Sequence, residues 1–127
     1  MRTQHVRHVF LIGLISGVLM LPNVAARAAE LLMFESPLCE WCDMWHEEIG
    51  PIYPKTAEAR CAPLRRLDIS DPLPQSVTDI RPVIYTPTFV LVEDGREVGR
   101  IMGYPGEDFF WGLLAEMFAD LRTPCIG

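Results

Sequence analysis

The sequence predicts an α/β fold in which a four-stranded mixed sheet carries flanking helices, in the order β-α-β, a loop crossover and β-β-α. Three observations predict it. A short apolar run at residues 31–34 leads into Cys39-Glu40-Trp41-Cys42 and then into a helical pattern. A second apolar run at residues 88–92 is followed by Asp94-Gly95, which is a strong hairpin signal. The last apolar residues recur at the spacing of one helix face.

The start of the chain is typical of a secretory signal peptide. A basic head precedes an apolar stretch at residues 9–21, and Pro22-Asn23 ends that stretch. Ala26-Arg27-Ala28 then fits the small-x-small pattern of a cleavage site. The alternative of an uncleaved membrane anchor fits less well, because the stretch is short and contains glycines. We therefore expect a signal peptide at residues 1–28 and one exported domain at residues 29–127, with no stable membrane insertion after cleavage.

The charge of the chain argues against a nucleic-acid partner. The formal net charge is −6 at pH 7, and loss of the three arginines within residues 1–28 makes it −9. A nucleic-acid-binding domain instead carries a basic patch. The chain shows no internal repeat and no low-complexity tract.

The first half of the domain has the pattern of a strand, a broken helix and a strand. After the first apolar run, a helix is expected to begin near Cys42. Gly50-Pro51 and Pro54 should kink or split it, because proline removes a backbone donor and clashes with the preceding turn. A second helical piece is predicted at residues 55–60, and the next strand at residues 64–69. Two parallel strands joined in this way require a right-handed crossover.

The second half of the domain begins with a loop. Residues 71–87 contain four prolines and predict a loop with at most one short helix, at residues 75–79. Residues 88–92 form a strand, Asp94-Gly95 turns the chain, and residues 97–104 return as the antiparallel partner. The last helix is expected to pack one apolar face into the core: Phe110, Leu113, Leu114, Met117, Phe118 and Leu121.

Two thiols three residues apart at the start of a helix are suited to thiol–disulfide exchange. A helix N-terminus stabilises negative charge, so the Cys39 thiol should ionise more readily than a free thiol. Cys39 is therefore predicted to attack a partner disulfide, and Cys42 to resolve the mixed disulfide. Glu40 opposes a strongly lowered pKa of Cys39, because a like charge disfavours the thiolate. A static structural disulfide is the alternative, although a bridge across so short a loop adds little stability.

Two motifs resemble those of thioredoxin-fold oxidoreductases. They are Cys39-Glu40-Trp41-Cys42 after a buried strand and Tyr85-Thr86-Pro87-Thr88-Phe89 at the start of a later one. Longer stretches at residues 49–58, 86–92 and 103–114 resemble, more specifically, the SoxS-type periplasmic thioredoxin-like proteins of bacterial sulfur oxidation. The resemblance covers nearly all of the chain after the predicted signal peptide and implies a minimal thioredoxin-like fold.

The resemblance also implies a function. The SoxS-type family implies a periplasmic thiol–disulfide reductase. No cofactor is expected, and a periplasmic reductase needs a membrane electron donor to recharge its dithiol. Its implied target is a reactive cysteine of the sulfur-oxidation carrier protein. The family proline at the position of Pro87 is cis and faces the dithiol, which exposes the backbone of Thr86 to an extended partner segment. Gly103 falls where the family brings backbone close to the dithiol, and Trp41 is expected to offer an exposed apolar contact.

These site assignments have plain alternatives. Pro87 is otherwise an ordinary trans turn proline, Trp41 a packed side chain and Gly103 a strand-end glycine. One position departs from the family, because ordinary thioredoxins carry a buried acid six residues before the first cysteine, where this chain has Met33. The proton of Cys42 then has four candidate acceptors: Glu35, Glu40, Asp43 or water.

The direction of the reaction stays open. The Glu-Trp pair between the cysteines matches neither thioredoxins nor glutaredoxins, so the redox potential does not follow from it. An oxidase of exported proteins is the alternative to a reductase. No dimerisation domain of the kind expected of a disulfide isomerase is apparent, and a monomer is expected.

The two remaining cysteines predict a structural disulfide. Cys61 lies near the end of the first helical region and Cys125 just past the last helix. In this topology both helices begin at the active-site edge and run away from it, so their ends should meet at the far pole. A Cys61–Cys125 disulfide would close a long loop and stabilise the domain. Two free thiols, or pairing with a partner protein, are the alternatives.

Metal handling is the rival function. Cys39, Cys42 and His46 share one side of the predicted helix, and two thiolates with an imidazole suit copper(I) or zinc. Exported thioredoxin-like copper chaperones typically space their cysteines more widely, so no metal site is expected here. His46 alone is more often a solvated helix residue. A third alternative is a non-catalytic binding module that keeps the fold.

Overall fold

The computed structural model describes residues 29–124, so the predicted signal peptide and Cys125 lie outside the described residues. Within this range the helices and strands follow the predicted order. They are β1 (Ala29–Glu35), α1 (Glu40–Glu48), α2 (Ala57–Cys61), β2 (Leu64–Asp68), β3 (Thr88–Glu93), β4 (Arg96–Met102) and α3 (Glu107–Ala119). A 3-10 turn at Tyr53–Lys55 lies between α1 and α2.

The strands form one mixed sheet in the order β2-β1-β3-β4. β1 pairs in parallel with β2 and antiparallel with β3, and β4 adds to the outer edge of β3 as its antiparallel partner. β1 therefore lies inside the sheet, and its apolar run is buried on both faces. The four-stranded mixed sheet and the order of its elements confirm the predicted fold class.

The two faces of the sheet are covered by different kinds of structure. Leu31 and Met33 belong to the core in which α1 and α3 pack, together with Trp45 and Phe110. Neighbouring side chains of β1 point to the opposite face, because side chains alternate along a strand. The loop between β2 and β3 covers that second face with three apolar side chains: Val77, Ile80 and Val83.

The loop predicted at residues 71–87 contains no helix at residues 75–79, the place where the sequence allowed one short helix. The backbone N–H groups of Thr78 and Asp79 both donate to the carbonyl oxygen of Gly95 in the β3–β4 turn. Asp79 also forms an isolated bridge with Arg96. An N–H that is bonded to another segment cannot close a helical turn, so pairing with the hairpin replaces the helix.

The hairpin turn and the end of β4 depend on residues with positive φ. Asp94 has φ of 54° and Gly95 of 75°, as a two-residue type I′ turn requires. A Cβ at Gly95 would lie 2.1 Å from the carbonyl oxygen of Ser76, so the turn needs glycine there. β4 ends at Met102, earlier than predicted, because Gly103 has φ of 83° and leaves the strand conformation.

The break after α1 confirms the prediction from glycine and proline. α1 ends at Glu48, and a Cβ at Gly50 would lie 2.5 Å from the carbonyl oxygen of His46. The chain resumes a helix only at α2, where the Thr56 side chain caps the first turn by accepting from the Ala59 N–H. The dithiol helix α1 is therefore short, and its N-terminal end faces the tip of β1.

Candidate active site

The two cysteines lie where β1 leads into α1. After β1 a tight turn contains Leu38, which has φ of 61°, and Cys39 then occupies the N-cap of α1. Cys39 and Cys42 form a disulfide, with 5.2 Å between their Cα atoms. This is the strand–turn–helix placement that the sequence predicts, and it puts both sulfurs at the N-terminal end of the helix.

The two sulfurs differ in their access to solvent. Cys39 is partly exposed, whereas Cys42 is only 3% exposed. The Sγ of Cys39 accepts a hydrogen bond from the backbone N–H of Cys42 at 3.2 Å. After reduction, this N–H and the helix N-terminus can stabilise a thiolate on Cys39. The arrangement suits Cys39 to attack a partner disulfide and Cys42 to resolve the product.

Thr86, Pro87 and Gly103 lie together beside the turn that precedes Cys39. The Thr86–Pro87 peptide bond is cis, and Pro87 is buried. The hydroxyls of Thr86 and Ser36 are 2.8 Å apart, which ties this segment to the turn before Cys39. The N–H of Gly103 donates to the carbonyl oxygen of Pro87 at 2.7 Å. A Cβ at Gly103 would meet no atom within 4 Å, so its positive φ rather than a close approach favours glycine.

Trp41 lies on the solvent side of α1, and 55% of its surface is exposed. It lines a groove of about 480 Å³ together with Met44, Glu48 and residues 104–108. Tyr104 donates a hydrogen bond to Glu48 at 2.5 Å across this groove. Burial and that hydrogen bond raise the pKa of Tyr104 above its usual value. The indole of Trp41 is therefore available to contact a partner.

Three further apolar side chains next to the site are exposed, and the sequence analysis missed them. Each directly precedes a predicted site residue: Leu38 (100% exposed), Tyr85 (64%) and Met102 (67%). The available signal was a large apolar residue immediately before each of these site residues. Together with Trp41, these side chains give the surroundings of the dithiol an apolar character.

On the other side of Cys42, an open crevice of about 290 Å³ is lined by charged groups. Five of its residues can titrate or carry charge: Glu35, Asp43, His46, Arg66 and Asp68. The Oε2 of Glu35 lies 2.7 Å from the Nε2 of His46. The Oε1 of Glu35 accepts two hydrogen bonds from the Arg66 guanidinium, at 2.6 and 3.0 Å.

The network around Glu35 keeps this carboxylate ionised. Burial works to raise the pKa of Glu35, but the hydrogen bonds from Arg66 and His46 and the positive charge of Arg66 outweigh it and hold the pKa below its usual value. The other two carboxyl candidates from the sequence, Glu40 and Asp43, are exposed on α1. The sequence analysis missed Arg66, because only the parallel pairing of β1 with β2 brings it to Glu35.

Cys61 lies at the C-terminal end of α2, away from the dithiol, and is not a free thiol. Because Cys125 is outside the described residues, the Cys61–Cys125 disulfide stays a prediction. Across residues 29–124, no group of three or more His, Cys, Asp or Glu side chains could hold a metal ion. In the same range, no helix has the length and apolar character needed to cross a membrane.

The chain is similar to several solved structures. The periplasmic thioredoxin SoxS of Paracoccus pantotrophus, solved in its reduced form, is 52% identical, with 72% of this chain and 97% of that protein covered and a TM-score of 0.70. The thioredoxin Mala s 13 of Malassezia sympodialis is 19% identical, with 72% and 76% covered and a TM-score of 0.53. Thioredoxin f2 of Chlamydomonas reinhardtii is 12% identical, with 71% and 79% covered and a TM-score of 0.51.

The two more distant structures show the fold alone. No family model matches the chain, and no curated protein matches it.

Proposed function

Because this chain belongs to the SoxS-type thioredoxin family and is a thiol–disulfide oxidoreductase, we propose that it works as a periplasmic reductase in sulfur oxidation. Its target is a reactive cysteine, held in a mixed disulfide, on the sulfur-oxidation carrier protein. The 52% identity to a periplasmic SoxS thioredoxin supports both the compartment and the type of partner.

The observation that carries the chemistry is one accessible and one buried sulfur at the N-terminus of α1. In the reduced protein, the Cys39 thiolate attacks the partner disulfide, forms a mixed disulfide and releases one partner sulfur as a thiolate. Cys42 then loses its proton and attacks the Sγ of Cys39. This restores the Cys39–Cys42 disulfide and releases the second partner sulfur, so two electrons have passed to the partner without a cofactor.

The partner segment binds across the exposed groups around the dithiol. The backbone of Thr86 accepts it as an added strand, beside Pro87 and Gly103. Trp41 supplies an apolar contact, since half of its surface is open to solvent. Main-chain pairing of this kind gives affinity with little dependence on the partner sequence, and the apolar side chains add specificity.

The proposal extends to the cellular setting. Residues 1–28 act as a cleaved signal peptide, and residues 29–127 act as a monomeric domain in the periplasm. Each turnover leaves the dithiol oxidised, so a membrane electron donor has to recharge it.

The direction of the reaction is tested by the equilibrium redox potential of the Cys39–Cys42 pair, titrated against glutathione and dithiothreitol with thiol trapping. A value near that of thioredoxin, about −270 mV, is expected for a reductase. A value near about −120 mV would indicate an oxidase of exported proteins and overturn the proposed direction.

The partner is tested by trapping. With Cys42→Ser, the mixed disulfide between Cys39 and the carrier protein cannot be resolved, so a covalent complex should accumulate when the reduced variant meets the oxidised carrier. Cys39→Ser is the matched control and should trap nothing, because the buried Cys42 does not reach a partner. Equal trapping by the two variants would contradict the assigned roles.

A further inference from the structure

In the resolving step, in which Cys42 attacks the mixed disulfide, the Cys42 thiol must lose its proton in a largely apolar environment. Cys42 is 3% exposed and belongs to the same core cluster as Met33 and Trp45. Met33 is fully buried and carries no group that could accept a proton. The charged crevice described above is lined by Cys42 itself, so it offers a polar route from the thiol to solvent.

His46 is placed to receive the proton. It follows Cys42 by four residues in α1, so the two side chains are neighbours on one face of the helix. Side chains in a helix lean toward its N-terminus, and the His46 imidazole therefore leans toward the turn that carries Cys42. Both residues line the crevice, whose volume of about 290 Å³ is large enough to admit water between them.

Glu35 sets the orientation of the imidazole. It lies in β1 two residues after Met33, so it leaves the strand on the same face as that core residue. Its Oε2 is 2.7 Å from the Nε2 of His46, and Arg66 binds its other oxygen. Donation from Nε2–H to this carboxylate leaves Nδ1 as the ring nitrogen that can take up a proton.

The other charged groups of the crevice are less suited to this task. Asp68 accepts hydrogen bonds from the backbone N–H and the hydroxyl of Ser70. Asp43 is exposed on α1. Arg66 stays protonated and donates to Glu35. Among the described groups that line the crevice, the imidazole alone combines a free acceptor position with a fixed carboxylate partner.

We propose that His46 is the proton acceptor for Cys42, with Glu35 as its positioning residue. The inference rests on the proposed function, because it assigns a role within the resolving step. The Cys42 thiol gives its proton to His46, directly or through a water, and the resulting thiolate attacks the Sγ of Cys39. The bond between Cys39 and the partner sulfur breaks, and the leaving sulfur takes the electron pair. The proton on His46 then returns to solvent through the crevice.

The test follows the mixed disulfide directly. Reduced wild-type protein, His46→Gln and Glu35→Gln are each mixed with glutathione disulfide, quenched with acid at successive times and analysed by intact mass. The rate at which Cys39 acquires glutathione should be the same in all three. Loss of the glutathionylated form should be about tenfold or more slower in His46→Gln, because a positioned base typically contributes ~10²–10⁴-fold and water replaces part of it. Glu35→Gln should be slowed less.

The pH profile separates a proton acceptor from a structural role. The deficit of His46→Gln should be largest near neutral pH and should shrink as the pH rises above about 8.5, the reference pKa of a thiol, because hydroxide can then take up the proton of Cys42. Glu47→Gln removes the same charge as Glu35→Gln from an exposed neighbouring position, and should resolve the mixed disulfide at the wild-type rate.

The possible results test the proton-acceptor role of His46 and the proposed function separately. Wild-type resolution rates in His46→Gln at every pH, or a deficit that does not change with pH, would overturn the proton-acceptor role. If His46→Gln does not fold, Glu35→Gln decides through the same profile. A wild-type protein that never reacts with glutathione disulfide would instead contradict the proposed function itself.

Discussion

Two clusters of charged side chains in this protein are arranged alike but differ in what they can do. At the dithiol, Glu35 is bound by Arg66 and by His46. On the sheet face away from the helices, Glu97 is bound by Arg81 and by Arg100. Each is one carboxylate held by two basic side chains. The difference is that one cluster contains an imidazole and the other contains only guanidinium groups.

The Glu97 cluster is built to hold a loop. Arg100 donates to both oxygens of Glu97, at 2.7 and 2.8 Å, and also to the carbonyl oxygens of Arg81 and Pro82. Hydrogen bonds from Arg100 and Arg81 lower the pKa of Glu97 to about 2 despite its burial. This fastens the proline-rich loop to β4, and the same loop leads to Thr86 and Pro87 in the site.

The comparison shows what a histidine adds to an ion pair. An arginine stays protonated at any accessible pH, so its pair with a carboxylate can only hold structure. An imidazole gains and loses a proton near neutral pH, so its pair with a carboxylate can also move one. Because His46 lies near Cys42, its ability to move a proton can serve the resolving step. The Glu97 cluster has no imidazole and, among the described residues, no neighbouring thiol.

The largest expected effect is on the Glu97 cluster. Glu97→Gln should lower the free energy of unfolding at pH 7 by about 2 kcal/mol, because it leaves the mostly buried Arg100 guanidinium without a carboxylate. Urea unfolding followed by circular dichroism measures this loss. Glu116→Gln, which removes the same charge from an exposed position in α3, is the control and should stay within about 0.5 kcal/mol of wild type. Equal losses in both variants would show that net charge is responsible.

The second prediction concerns the pH dependence of that loss. The folded-state pKa of Glu97 is lowered from 4.5 to about 2, so the folded protein binds this proton less tightly than the unfolded chain does. The stabilisation is therefore complete above pH 4.5 and disappears as the pH falls toward about 2. Urea unfolding of wild type and Glu97→Gln at successive pH values should show their difference shrinking by more than half at about pH 3. A constant difference would contradict the assignment.

A third change makes the two clusters alike. His46→Arg gives Glu35 two arginine partners, as Glu97 has, and keeps a hydrogen-bond donor on the carboxylate. Because arginine cannot take up a proton, loss of the glutathionylated intermediate should be about tenfold slower. The free energy of unfolding should stay within about 1 kcal/mol of wild type, since the arginine keeps an ion pair with Glu35 and the His46 side chain is only partly buried. Wild-type resolution by this variant would show that the imidazole is not needed.

The smallest effects come from the exposed arginine of each cluster. Arg66 and Arg81 are 58% and 71% exposed, so Arg66→Gln and Arg81→Gln should each cost only about 0.5 kcal/mol of stability. Arg66→Gln should also raise the pKa of Glu35 toward its usual value. It should slow resolution of the mixed disulfide about twofold, a factor that corresponds to the free energy of one surface ion pair. Arg81→Gln is its matched control and should leave resolution unchanged. Slowing by both variants to the same extent would remove the distinction between the clusters.

Much of this protein is determined by local sequence. The turn at Asp94-Gly95 follows from residues that accept positive φ, and the break after α1 follows from Gly50 and two prolines. The dithiol is local as well, because Cys39 and Cys42 are one helical turn apart and the N–H of Cys42 bonds to the Sγ of Cys39. These features could be predicted because the interactions that form them connect residues close together in the chain.

The tertiary structure decided the features that depend on distant partners. The sequence allowed one short helix at residues 75–79, yet the backbone N–H groups of Thr78 and Asp79 bond to Gly95 in the hairpin instead. Ser36 reaches Thr86 across 50 residues, and Glu35 reaches Arg66 across 31. Such pairs leave no periodic signal, since they arise only when strand order and register bring them together. The two thiols could therefore be read from the chain, whereas the crevice that serves the second thiol exists only in the folded sheet.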